Sequence, residues 1–220
     1  MPRLYLGVDL ACENDYAAIT LLEQNIGIFA VHGGSEYRTT YAIRHLQRFP
    51  LKTEYPVIAQ ELITMMRDPG LSSDGVLILD ETGVGRPFRQ MLEAEGLHPV
   101  GITITGGMEE MERDGNTFSV PKKNLVSSLI LLFQSGKLKI SPGLEYARVF
   151  EDELRDFHYK IDKKTANISY EARHDATHDD LVMSAALATW YASKHEQTGF
   201  HEHLDEETDD YDPRTWGLER

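Results

Sequence analysis

The chain has 220 residues, 41% of them hydrophobic, and a formal net charge of −14. That suits one domain, or one domain with a tail; no apolar run reaches the length of a bilayer span, and no charged-then-apolar leader opens the chain. The single cysteine, Cys12, excludes an internal disulfide and fits a reducing cytoplasm.

"RLYLGVDLA" (3–11) reads as a strand ending in a turn. "YAAITLLEQ" (16–24) reads as a second strand and "IGIFAVHGG" (26–34) as a third. Asn14-Asp15 and Gln24-Asn25 then serve as the short turns of an antiparallel meander. Residues 54–67 carry Val57, Leu62, Ile63 and Met66 at helical spacing, and Asp68-Pro69-Gly70 stops that helix. "GVLILD" (75–80) is a continuous apolar run between turn residues, as in a central strand buried on both faces. Residues 86–96 read as a short helix closed by Gly96, and "VGITIT" (100–105) as another buried strand.

A helix is expected over 119–138, with Ser119 as its N-cap, Pro121 near the first turn and Gly136 at its end. Residues 144–157 read as an amphipathic helix, and "HYKI" and "NISYEA" as a β-hairpin around "DKKTA". An almost wholly apolar helix follows over 177–193, with Asp179 and Asp180 at its entrance. No repeat is present. The expected fold is α/β: three antiparallel strands followed by parallel strands in one mixed sheet, with helices on both faces. The domain is expected to span 1–195.

The remaining segment, 196–220, holds nine acidic and two basic side chains and is expected to be a disordered tail. Residues 1–195 carry 27 acids and 20 bases. The body is therefore only mildly acidic, and the net charge does not exclude a nucleic-acid partner. Clustered carboxylates that bind a divalent cation are also partly neutralised in use.

Asp9 and Asp80 both stand at the C-terminal ends of predicted strands, the edge where open α/β sheets bind ligands. Either alone reads equally well as a turn residue. "LDETGVG" is no P-loop, but Gly83 and Gly85 would let a phosphate backbone come close. The pair at the entrance of the last helix includes a capping reading, with Thr177 three residues before Asp180. Capping accounts for one aspartate and leaves the other unexplained. If the two strands are neighbours, Asp9, Asp80 and either Asp179 or Asp180 converge. Such a cluster makes sense chiefly around a cation, since like charges otherwise repel. Oxygen ligands select Mg²⁺ or Mn²⁺, and two such ions suit attack of water on a phosphodiester.

"GVDLACENDYAAITLL", "LDETGVG", "ITGG", "VPKKNLVSSLILLFQSGKLKI", "FEDELRDF" and "HDDLVMSAALA" occur in the order seen in the C-terminal nuclease domain of tailed-phage terminase large subunits, which residues 3–193 resemble. The resemblance implies a ribonuclease H-like or resolvase-like fold and metal-dependent endonuclease cleavage of double-stranded DNA during genome packaging. It implies Asp9, Asp80 and Asp180 as catalytic metal ligands, Asp179 as a close fourth, and Asp15 as a second acid after the first strand. Two Mg²⁺ or Mn²⁺ ions are the implied cofactors. The implied partners are DNA and a packaging ATPase, a portal or a small terminase subunit, in the host cytoplasm and with no membrane. A terminase large subunit also has an ATPase domain. This chain opens on the first nuclease strand without a Walker motif, so no ATP-driven translocation is expected of it.

Lys122 and Lys123 at a helix start, Arg86 after the glycine turn, and Lys160, Lys163 and Lys164 on the hairpin are candidate phosphate contacts, each with a plain solvated reading beside it. His178 adjoins the aspartates as a secondary candidate for assisting metal or proton transfer. The acidic tail reads either as a solubilising end or as a competitor for the basic hairpin. Rival readings are a Holliday-junction-type resolvase, an actin-like or sugar-kinase-like ATPase, for which the chain is short, and a non-catalytic packaging or assembly module.

Overall fold

The structure, a computed structural model, describes residues 2–10, 15–31, 34–72, 74–161, 168–172 and 178–195. Cys12, Lys163, Lys164, Thr177 and the expected acidic tail lie outside the described residues. The backbone of Lys160 is described but its side chain is not.

The elements in chain order are β1 (Arg3–Asp9), β2 (Ala18–Val31), β3 (Gly34–Arg48), α1 (Tyr55–Met66), α2 (Pro69–Ser72), β4 (Val76–Asp80), α3 (Gly85–Ala94), β5 (Val100–Thr105), β6 (Met111–Glu112), β7 (Thr117–Pro121), α4 (Lys122–Gln134), β8 (Leu138–Ile140), α5 (Ala147–Asp156), β9 (Phe157–Ile161), β10 (Ile168–Ala172) and α6 (Asp180–Lys194). Eight strands form one mixed sheet in the order β6-β7-β5-β4-β1-β2-β3-β8, and β9 and β10 pair as a separate hairpin. β2 is antiparallel to both of its neighbours, β1 and β3, and β1, β4, β5 and β7 run parallel. Among the described residues no helix is long and apolar enough to cross a membrane.

Two expectations are corrected. The second and third expected strands are one continuous strand, β2. The third antiparallel strand is β3, which after Gly34 runs over residues with no expected element. Gln24-Asn25 is not a turn because its polar groups are satisfied inside the sheet. Gln24 is buried, accepts from Tyr5 Oη at 2.9 Å and donates to Tyr41 Oη at 3.3 Å. Asn25 donates to Glu23. Ser119 is not an N-cap either: it lies in β7, pairs with Thr103, and accepts from Arg113. The residue at the helix boundary is Pro121, with ψ at 134°. A proline also keeps the residue before it extended, so the strand runs up to it before α4 can begin.

Side chains alternate across a strand, so each strand feeds two cores. Leu6, Val8, Leu77 and Leu79 pack with Ile58 and Leu62 of α1 and Phe88 and Leu92 of α3. Tyr5, Ile78 and Ile102 face the other way, onto Leu125 and Leu129 of α4, Phe150 of α5 and the apolar length of α6. α6 is buried from Asp180 through Trp190.

Its approach to the sheet depends on Gly7. A Cβ there would collide with the Ser184 carbonyl and press on Ala188. Thr20 Oγ1 and Ser184 Oγ, 2.7 Å apart, close the polar gap beside that contact. The Gly7→Val variant is therefore expected to lose roughly 1–3 kcal/mol of stability through overpacking. Denaturant unfolding measures this; an unchanged midpoint would show that the helix can move off the strand without cost.

Candidate metal centre

The two core faces decide where the acids emerge. Asp9 follows Tyr5 and Gly7 at two-residue spacing, and Asp80 follows Ile78. Both therefore leave their strands on the α6 side of the sheet. β1 and β4 are parallel neighbours, with Val8 opposite Leu79, so the next residues, Asp9 and Asp80, sit side by side at the sheet edge. α6 begins over that edge with Asp179 at its N-cap position and Asp180 as its first residue.

The Asp9 carboxyl is held well above the usual carboxylate range, first by burial and then by repulsion from Asp80, Asp179 and Asp180; Lys122 acts weakly the other way. Asp80 is also raised, by burial, against hydrogen bonds from Thr82 and Asp9. The Thr82 amide donates to Asp80 Oδ1 at 2.7 Å. Among the described residues neither Asp9 nor Asp80 forms a salt bridge.

The other acids have counter-charges. Asp179 Oδ2 lies 2.7 Å from Lys122 Nζ. Asp180 Oδ2 lies 2.8 Å from the Arg48 guanidinium. It nevertheless has no hydrogen bond among the described residues, because the approach lacks hydrogen-bond geometry. Asp180 is pushed up to about 7, since burial outweighs the Arg48 pairing and Asp15 adds repulsion. Asp15 Oδ1 is 2.8 Å from His178 Nδ1. Asp15, His178 and Asp180 present ligand atoms within 4.8 Å of one another.

Three residues beyond those singled out in the sequence belong here. Glu153 of α5 pairs with Arg48 and accepts from the Val182 amide at 3.1 Å. Burial pushes its carboxyl up to about 8. Glu153 stands three residues after buried Phe150 and one before Leu154, so an acid on an apolar stripe was its readable signal. Arg48 ends β3, where no strand was expected, and stacks over the Tyr16 ring at 4.6 Å. Glu81, beside Asp80, turns away to Arg89 at 2.6 Å. It occupies the space a side chain at Gly101 would need.

The expected phosphate contacts divide. Lys122 is engaged by Asp179, and Lys123 lies against the Met108 thioether. Arg86 is exposed in the first turn of α3.

The donors suit a hard divalent cation: Asp9 and Asp80 meet at one sheet edge and form no salt bridge among the described residues, and Asp180 keeps a buried oxygen with no hydrogen bond among them, although the three donors whose ligand atoms lie within 4.8 Å of one another are Asp15, His178 and Asp180.

The sequence matches no protein-family model and no curated protein. Among solved structures, the large terminase nuclease from thermophilic phage G20c is 23% identical, with a TM-score of 0.58 over 89% of this chain and 83% of that one. The same nuclease with bound magnesium is 24% identical, with a TM-score of 0.58 over 86% and 80%. The human cytomegalovirus terminase nuclease domain, soaked in manganese, is 16% identical, with a TM-score of 0.48 over 87% and 81%. On that likeness this chain shares the fold of the phage terminase nuclease, a mixed sheet with flanking helices.

Proposed function

We propose that the protein is a divalent-metal-dependent endonuclease that cleaves double-stranded DNA, as in viral genome packaging. The observation that carries this reading is the Asp9–Asp80 pair, side by side without a salt-bridge partner among the described residues, beside Asp179 and Asp180. A fold shared with a nuclease crystallised with magnesium supports it.

In this reading Asp9, Asp80 and Asp180 hold the cation, with Asp179 adjoining, and two ions are accommodated. When bound, such ions supply Lewis acidity to the phosphodiester and to the water that attacks it. The chain's own residues arrange the ligands. The Thr82 amide orients Asp80, Lys122 holds Asp179, and the His178–Asp15 contact flanks Asp180. No side-chain nucleophile is required. Lys123, Arg86 and Lys160, with Lys163 and Lys164, are the proposed phosphate contacts, which position a duplex without reading its sequence.

Supercoiled and linear plasmid should be cut in Mn²⁺ or Mg²⁺ and left intact in EDTA. Asp80→Asn should reduce the rate on the order of 10³-fold or more. Cutting that persists in EDTA, or in folded Asp80→Asn, contradicts the assignment. Preference for four-way junctions over linear duplex would favour a resolvase.

The burial of the Asp9 carboxyl and the repulsion around it predict a second effect. In EDTA, Asp9→Asn should melt above wild type, by roughly 2–4 °C for each kcal/mol of repulsion relieved. It should also lose the stabilisation that Mg²⁺ gives wild type. A lower melting temperature in EDTA would mean that the carboxylate serves the fold.

A further inference from the structure

The Arg48 guanidinium faces two buried carboxylates and has one charge for them. It pairs with Glu153 and also lies 2.8 Å from Asp180, while its Nε has no hydrogen bond among the described residues. Glu153 has a second engagement. Its Oε2 accepts from the amide of Val182, in the first turn of α6. That turn has no side-chain cap from Asp179, whose carboxylate goes to Lys122. Glu153 therefore caps α6 from a different helix, in place of the usual local residue.

These contacts bear on the proposed cation site. Because Arg48 divides its one charge between Glu153 and Asp180, part of the Asp180 charge is left for a cation. Without the Glu153 charge, Asp180 would be the acidic partner left to Arg48 among the described residues. An internal guanidinium on Asp180 competes directly with an external cation.

We infer that Glu153 is a positioning residue for the metal centre: with one oxygen it restrains Arg48, and with the other it fixes the turn of α6 that carries Asp180. This rests on the nuclease reading. Glu153 itself has no role as a ligand. It acts through Arg48 and the helix, and Arg48 becomes a competitor whenever that restraint is lost.

The test is calorimetric titration of Mn²⁺ alone into the full chain, as wild type, Glu153→Gln, Arg48→Gln and the double variant, with melting temperatures taken in parallel. Glutamine keeps an oxygen for the Val182 amide and removes only the charge. Glu153→Gln is expected to fold and to bind Mn²⁺ roughly 10–100-fold more weakly. Arg48→Gln should bind at least as tightly as wild type, and the double variant should recover most of the loss. A merely structural Glu153 would give no such rescue.

Unchanged Mn²⁺ affinity in Glu153→Gln, or a double variant as weak as Glu153→Gln, overturns the inference while leaving the nuclease reading standing. If Glu153→Gln does not fold, Arg48→Gln decides: equal or tighter binding supports the inference, and weaker binding overturns it. Wild-type protein that neither binds Mn²⁺ nor cuts plasmid overturns the nuclease reading, and this inference with it.

Discussion

The close approach of α6 to β1 is the constraint on which the rest depends. It exists because Gly7 has no side chain and because Ala185, Ala186 and Ala188 keep the helix narrow. A buried helix held against the strand that ends in Asp9 must begin near that strand's end. The aspartates at its start are thereby delivered to Asp9 and Asp80. Chain segments about 100 residues or more apart meet because backbone packing leaves them little freedom, and the packing tolerates the repulsion that results.

That repulsion is distributed unevenly. Asp179, Asp180, Asp15 and Glu81 each face a cation or a histidine within the chain. Asp9 and Asp80 have one another, the Thr82 amide and, for Asp9, the weak pull of Lys122. An apolar replacement would stabilise the fold better than two neighbouring carboxylates raised by burial. Their presence at a sheet edge makes chemical sense when an ion of opposite charge completes the set. Arg48 and Glu153 belong to the same balance, since they set how much charge Asp180 has left to offer.

Much of this was legible in the sequence because strong local signals coincided with the packing. The apolar run before Asp80 is a strand, Gly96 and Gly136 follow helix ends with positive φ, and the apolar stretch after Asp180 is a helix. Other features were legible only in three dimensions. Gln24 reads as a turn residue until two tyrosine hydroxyls are seen to satisfy it inside the sheet. Pro121 reads as an internal first-turn proline until its extended backbone is seen to separate β7 from α4. Arg48 and Glu153 lie about 100 residues apart and share no motif, and only the meeting of β3, α5 and α6 makes them one unit. Lys122 illustrates the converse: a lysine at a helix start suits phosphate in sequence, and Asp179 engages it in the fold.

The central claim is that the sheet edge at Asp9 and Asp80 is a cation site. Anomalous diffraction from crystals of the protein grown with Mn²⁺ tests it most directly. The account predicts a manganese peak between the Asp9 and Asp80 carboxylates, on the side facing the start of α6. Ordered side chains at that edge with no peak, and with Asp9 and Asp80 simply sharing a proton, would contradict it.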